Sequence, residues 1–385
     1  MMKIIKFFLL SLLFIYPVKA ATIVNNDKNQ IDINGNLNIA YFNKLPSENT
    51  YDFITNNNYY SGLGISASNK TLANITTTAV FSIQINNKYY YPQEIDKTYY
   101  KALEVDELYL EFAGNEDSVK MGNFNSQVIA NTLGATNYAG IFLLDAGFSF
   151  TGSSAGLFGE PRESDFSTED VYQGLGHYYQ AGSVKVAVEL ESPRDNLNPR
   201  NSFEVNAFDR VYTAAVSLSY AGDTLGLSIG YKRMQNKLAQ EFRDVFSRNM
   251  INSDNVFAST YLNLGNLYIA TSGGYYKNLK IAGINHTGAS ALVSYQLTKI
   301  KPYVGYQILY ADNLHKNGGA YGLVNGVNYS FDQSAAVVGV SYNVFDGLSM
   351  GIEHMNDIRT KSQRRTSLLN NVNNDITAIY LQYSF

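Results

Sequence analysis

The stretch Tyr212-Thr213-Ala214-Ala215-Val216-Ser217-Leu218-Ser219-Tyr220 decides how the rest of the chain is read. Successive side chains of an extended strand point to opposite sides. Tyr212, Ala214, Val216, Leu218 and Tyr220 therefore share one face, apolar in the middle and aromatic at both ends. Eight steps at ~3.3 Å, tilted by about 40°, climb roughly 20 Å, close to the ~25 Å apolar band of a membrane-spanning barrel. Taken alone, the stretch also fits a soluble sandwich strand with core tyrosines.

The same alternation recurs along the chain. Ile31, Ile33, Gly35, Leu37, Ile39 and Tyr41 fall on one face, and Asp32, Asn34, Asn36 and Asn38 on the other. Further period-two runs lie at Ile75–Ile85, Leu108–Phe112, Val184–Leu190, Leu225–Tyr231 and Ala336–Val344. Such runs predict strands with one apolar and one wet side.

The connections alternate in length. Short ones, mostly rich in Gly, Asn and Asp as tight turns require, fall at Ser68–Asn74, Gly114–Asp117, Gln180–Ser183, Ala221–Thr224, Gly265–Asn266, Thr298–Lys299 and Phe345–Gly347. Between them lie long polar segments near Asn43–Asn58, Lys88–Leu103, Asn125–Glu169, Ser192–Phe208, Met234–Asp254, Lys277–Gly288, Asp312–Gln333 and Asn356–Asp375. Seven short and eight long connections predict sixteen strands. Short turns at one end and long loops at the other are the arrangement of an outer-membrane barrel, closed so that no backbone edge meets lipid. The expected fold is thus an all-β, transmembrane antiparallel β-barrel of 16 strands. Thr377, Ile379, Leu381, Tyr383 and Phe385 supply a last strand with one apolar, partly aromatic face.

Composition narrows the alternatives. The chain has 385 residues, formal charge −4, 16% charged residues, 31 Tyr, 21 Phe and no Cys. Soluble domains average about 25% charged residues. Past the N-terminus, no segment has the ~20 apolar residues of a spanning helix. Without Cys there is no disulfide framework or thiol nucleophile, and without a basic surplus no nucleic-acid partner is expected. Lys3 and Lys6, the apolar run Phe7–Tyr16 and Val18-Lys19-Ala20 read as a secretory signal over residues 1–20. Its removal would take Lys3, Lys6 and Lys19 away and move the formal charge from −4 to −7. Residues 21–385 then form one domain, with no Pro- or Gly/Ser-rich linker.

Three segments carry a family resemblance. They are the mature start from Ala21 through Asp27 and Gly35 to Tyr41-Phe42, the hairpin Leu108–Gly114 with Val119–Phe124, and the terminal Tyr380–Phe385. Together they resemble the Gram-negative general (non-specific) outer-membrane porins. That resemblance implies a water-filled channel in the cell outer membrane, a homotrimer set in lipid and lipopolysaccharide, and passive diffusion of small hydrophilic solutes and ions. It also implies a third loop folded into the lumen, with acidic residues facing a basic wall. In Asn125–Glu169, the longest connection, the apolar run Tyr138–Leu144 gains from packing on a barrel wall or as a lid across its mouth; the lumen is the expectation.

Asp145 and Glu160 are the acidic loop candidates for a pore constriction. Strand parity turns Glu107, Tyr109, Glu111, Lys120, Lys185 and Glu189 toward the lumen, and Glu353 likewise. The positions of the family's basic wall residues fall near Asn36, Ser61 and Tyr109. With none of these basic here, and a mature charge of −7, a cation-preferring pore is expected. A sugar-selective channel with an aromatic lumen ladder is the alternative, but parity sends Tyr212 and Tyr220 to the lipid face. His177, His286, His315 and His354 show no metal-ligand spacing and no HExxH pattern, so no enzyme, cofactor or metal is expected.

Overall fold

The computed structural model describes residues 21–26, 28–42, 52–54, 61–70, 74–85, 103–133, 170–195, 208–238, 250–279, 284–312, 331–357 and 376–384. The secretory segment 1–20 and the loop candidates Asp145 and Glu160 lie outside them. The strands are β1 (Ala21–Asn25), β2 (Asn29–Phe42), β3 (Asp52–Ile54), β4 (Ser61–Lys70), β5 (Thr76–Ile85) and β6 (Leu103–Ala113). They continue as β7 (Asp117–Asn125), β8 (Asp170–Ala181), β9 (Val184–Asp195), β10 (Phe208–Ala221), β11 (Leu225–Leu238) and β12 (Met250–Leu264). The last are β13 (Leu267–Leu279), β14 (Ile284–Tyr295), β15 (Ile300–Asp312), β16 (Phe331–Phe345), β17 (Leu348–Asp357) and β18 (Ile376–Ser384). One helix, α1 (Gln127–Leu133), follows β7.

Sixteen of these strands close a barrel by antiparallel pairing. The wall runs β2–β4 and then in chain order to β18, which returns to β2 through pairs from Ala378↔Phe42 to Ser384↔Asn36. Closure satisfies every wall edge, which is what a wall standing in hydrocarbon needs. The two extra strands are short. β1 pairs with the first half of β2 from Ala21↔Ile33 to Asn25↔Gln30, on the edge that β18 uses farther along. The backbone of this stretch thus pairs as a seventeenth, short strand. β3 pairs with the far end of β2.

Six of the seven short turns fall where the turn residues place them; in the other, Ser68, Asn69 and Lys70 are strand, paired with Thr78, Thr77 and Thr76, and residues 71–73 lie outside the described ones. The segment Lys277–Gly288 differs from expectation. Pairs Tyr276↔His286 and Leu279↔Ile284 carry β13 and β14 well into it, so its described residues are strand, and residues 280–283 lie outside the described ones. Polar residues above an apolar band extend a strand as readily as they leave it.

The wall has the expected two faces. Leu108, Leu110, Val216, Leu218, Ile229, Val304, Val338 and Ile379 are exposed outward, as are Tyr212, Tyr220, Tyr275, Tyr295, Tyr306 and Tyr342. The alternate residues Thr213, Ala215, Ser217 and Ser219 of β10 are buried. Beside the barrel seam, Leu381 and Tyr383 pack with Leu348, Val344 and Phe345.

Two bulges adjust the inward set. Phe81 pairs with Leu108 but Ile83 with Val105, so β6 carries one extra residue there and both Val105 and Leu108 point outward. In the β7–β8 pair the register shifts between Gly122 and Phe124, where β8 takes three steps, Gly174 to Val171, against two of β7. Gly122 has φ of +129°, and a Cβ on it would collide with the Leu108 carbonyl oxygen. Phe124 keeps the inward parity of Lys120 and is buried inside the barrel, just before α1.

Gly122→Ala is expected to lose about 1–3 kcal/mol of stability, through backbone strain and the collision. Gly182, in the β8–β9 turn at φ +58° with nothing within 4 Å of a Cβ, should accept Asn at about 1 kcal/mol or less. Denaturant unfolding of both variants in detergent checks this, and equal losses would contradict the role of the Gly122 backbone conformation.

Candidate functional site: the lumen and its inward helix

Helix α1 lies inside the barrel, touching β9, β10, β11, β12 and β13. Its seven residues have little helical stability of their own, so the wall must supply it. Ser126 is the N-cap, its Oγ accepting the Ile129 amide at 3.3 Å. Glu189 of β9 meets the same end. Its Oε1 accepts the amides of Gln127 (2.7 Å) and Val128 (3.2 Å), and its Oε2 accepts the Ser126 hydroxyl (2.5 Å). The Tyr178 hydroxyl donates to Glu189 as well, at 3.2 Å. A carboxylate at a helix N-terminus satisfies orphan donors and opposes the positive end of the helix dipole.

The rest of α1 rests on small residues. Val128 packs with Ala187 and Ala215, backed by Tyr178. Thr132 lies against Gly230, where a Cβ would crowd its Cγ2 at 2.7 Å, and its carbonyl accepts Ser228 Oγ at 3.3 Å. The small inward residues of β10 and β11 thus make the groove that admits the helix.

Beside the helix root stands a mixed aromatic and charged cluster. Phe124, 1% exposed, meets Tyr109 and Tyr178 edge to face at 6.1 and 6.4 Å. Lys120 Nζ sits 4.7 Å from the Tyr109 ring centre and 5.6 Å from that of Tyr178, a cation–π arrangement. Glu111 pairs in register with Lys120. Glu107 Oε1 accepts the Asn125 amide at 3.2 Å, fixing the end of β7.

Five residues marked as pore wall from the sequence, Glu107, Tyr109, Glu111, Lys120 and Glu189, therefore gather on β6, β7 and β9 around the start of α1. Lys185 lies four residues nearer the β8–β9 turn than Glu189. Asn36 is exposed on β2, its side chain beside Gly62, and Ser61 opens β4, away from the cluster. Glu189 is 2% exposed and holds the helix rather than standing in open water.

Other inward groups escaped the sequence reading. Tyr303 and Tyr380 are buried with hydroxyls 3.3 Å apart, their rings lying over Gly339 and Gly351. Tyr261 lies over Gly226 and stacks on Tyr268 at 5.8 Å. Glu191, Lys232 and Asn255 are buried too. The available signal was glycine set opposite an inward tyrosine on the next strand, as in Tyr303↔Gly339 and Gly351↔Tyr380. His177 pairs with Asp117 at 3.1 Å on an exposed rim, and His354 meets Thr377 Oγ1 at 2.9 Å. No cluster able to hold a metal occurs among the described residues.

No protein-family model matches the chain, and no curated protein matches it in sequence. Solved structures do. OmpF of Salmonella typhi, in complex with daunomycin, aligns with a TM-score of 0.66 at 12% identity, covering 94% of this chain and 99% of that one. The outer-membrane channel DcaP of Acinetobacter baumannii aligns at 0.63 and 11% identity, covering 95% and 100%. An anion-selective porin from Comamonas acidovorans aligns at 0.60 and 11% identity, covering 93% and 100%.

Glu189→Ala removes the acceptor of three bonds at the helix start and should release α1 from the wall, giving larger and noisier single-channel conductance. Glu189→Gln keeps the volume and one acceptor, and should lie between it and the parent. Recordings in which both variants match the parent would contradict the anchoring role. The fold these findings establish is that of the outer-membrane porins, a closed sixteen-stranded barrel whose third long connection begins inside it.

Proposed function

We propose that the chain is an outer-membrane diffusion porin, a homotrimer passing small hydrophilic solutes and ions without a chemical step. The observation that carries this reading is the wall of β6. Leu108, Leu110 and Phe112 are exposed outward, while Glu107, Tyr109 and Glu111 turn inward. Placing such glutamates or lysines toward mid-bilayer would cost up to about 2–4 kcal/mol each, so water belongs inside. A barrel of sixteen strands is too wide for its side chains to fill. Solutes then pass down their gradients, sorted by bore width and by the field of the lining charges.

Export through a cleaved signal over residues 1–20 brings the chain to this membrane, where lipid and lipopolysaccharide surround the wall. Asp145 and Glu160 complete the constriction from the third loop. The pore prefers cations. Glu107 and Glu111 face the lumen, Lys120 is held over tyrosine rings, and the mature chain carries −7.

Reversal potentials across a planar bilayer in a KCl gradient should show cation preference, weakened in a Glu107→Gln/Glu111→Gln variant. Anion preference in the parent would contradict the selectivity. Liposomes that fail to swell in small sugars would contradict the pore itself.

A further inference from the structure

Between α1 and the wall, toward the short-turn end of the barrel, lies a cavity of about 250 Å³. Ala130 and Asn131 of the helix form one side, and Lys185, Ser219, Tyr261 and Tyr268 contribute to the other. The helix anchor does not use these side chains.

Three features mark the cavity as a binding place rather than a packing gap. The first is Asn131, which brings a half-buried polar side chain to the helix side. Lys185 brings an ammonium, with three donors and no acceptor, and no ion pair of it occurs among the described residues. The third feature is a fixed aromatic platform. Tyr261 is locked between Gly226 and Tyr268, 23° from parallel with the latter, and its hydroxyl donates to the Gly222 carbonyl at 2.8 Å.

We propose that this cavity is a solute subsite for a small carboxylated sugar, a hexuronate in class. The carboxylate pairs with Lys185, a ring hydroxyl reaches the Asn131 amide, and the C–H face of the ring lies on the tyrosine pair, whose electron-rich faces attract it. A neutral hexose would use the platform without the cation. A small inorganic anion would use the cation without the platform. The cavity has room for about one ring, so the subsite slows a selected solute in a pore that stays open to others. This inference rests on the reading of the barrel as an open channel.

The test is block of ion current through the full-length reconstituted protein by glucuronate, with glucose and inorganic phosphate as controls. Glucuronate should block saturably and more strongly than either control. Lys185→Gln should weaken its block by about tenfold, the loss of one charge-assisted contact. Tyr268→Ala should weaken glucuronate but not phosphate. Open channels that glucuronate does not block, or blocks equally after both substitutions, would overturn the subsite and leave the porin reading standing. Phosphate block as strong as that of glucuronate would overturn the sugar assignment. Absence of conductance would instead overturn the porin reading.

Discussion

Everything in this molecule depends on the backbone's need for hydrogen-bond partners in a medium that offers none. A strand wall can meet it only by closing on itself. β18 therefore returns to β2, and the inner edge of β2 is shared end to end by β18 and β1. Once the wall is closed, each strand has two solvents, hydrocarbon outside and water inside. The period-two sequence follows from that condition. Leu218 and Tyr220 go out because exposed apolar area gains in lipid, while Ser217 and Ser219 go in.

The interior is uneven as a result of the same rules. The β9–β13 sector presents Ala187, Ala215, Ser217, Ser228 and Gly230, side chains too small to fill space. The third connection fills it instead, with a helix whose open amides need an acceptor. Glu189 provides one, and in doing so it stops being a free pore charge. Glu107 and Glu111 stay on the inner face of β6, and Lys120 is drawn over two aromatic rings.

The strands and turns were legible in the sequence because both are local signals. Alternation from Tyr212 to Tyr220 fixes the faces of β10, and Gly–Asn or Asp–Gly pairs mark where strands reverse. What was not legible depends on neighbours. The bulge in β6 arises where two strands disagree in register, so parity counted from Leu108 fails at Val105. Helix α1 is only Gln127–Leu133, too short for a helical period to show. Its stability lies in Glu189, 62 residues from Gln127 along the chain. Tyr303 and Tyr380 went unremarked, and the register with Gly339 and Gly351 reveals them as lumen rings. The polar run at Lys277–Gly288 read as loop, although its backbone pairs across to Leu279↔Ile284.

The two-solvent wall is open to direct measurement because the chain contains no Cys. Single cysteines placed in turn at residues 108 through 112 of β6, in protein reconstituted into liposomes, can be challenged with a water-soluble maleimide. Labels at the same positions can be challenged with a bilayer-confined quencher. The account predicts strict alternation, with the aqueous reagent reaching positions 109 and 111 and the quencher reaching 108, 110 and 112. Equal aqueous reactivity at both parities, or quenching at 109 and 111, would contradict it.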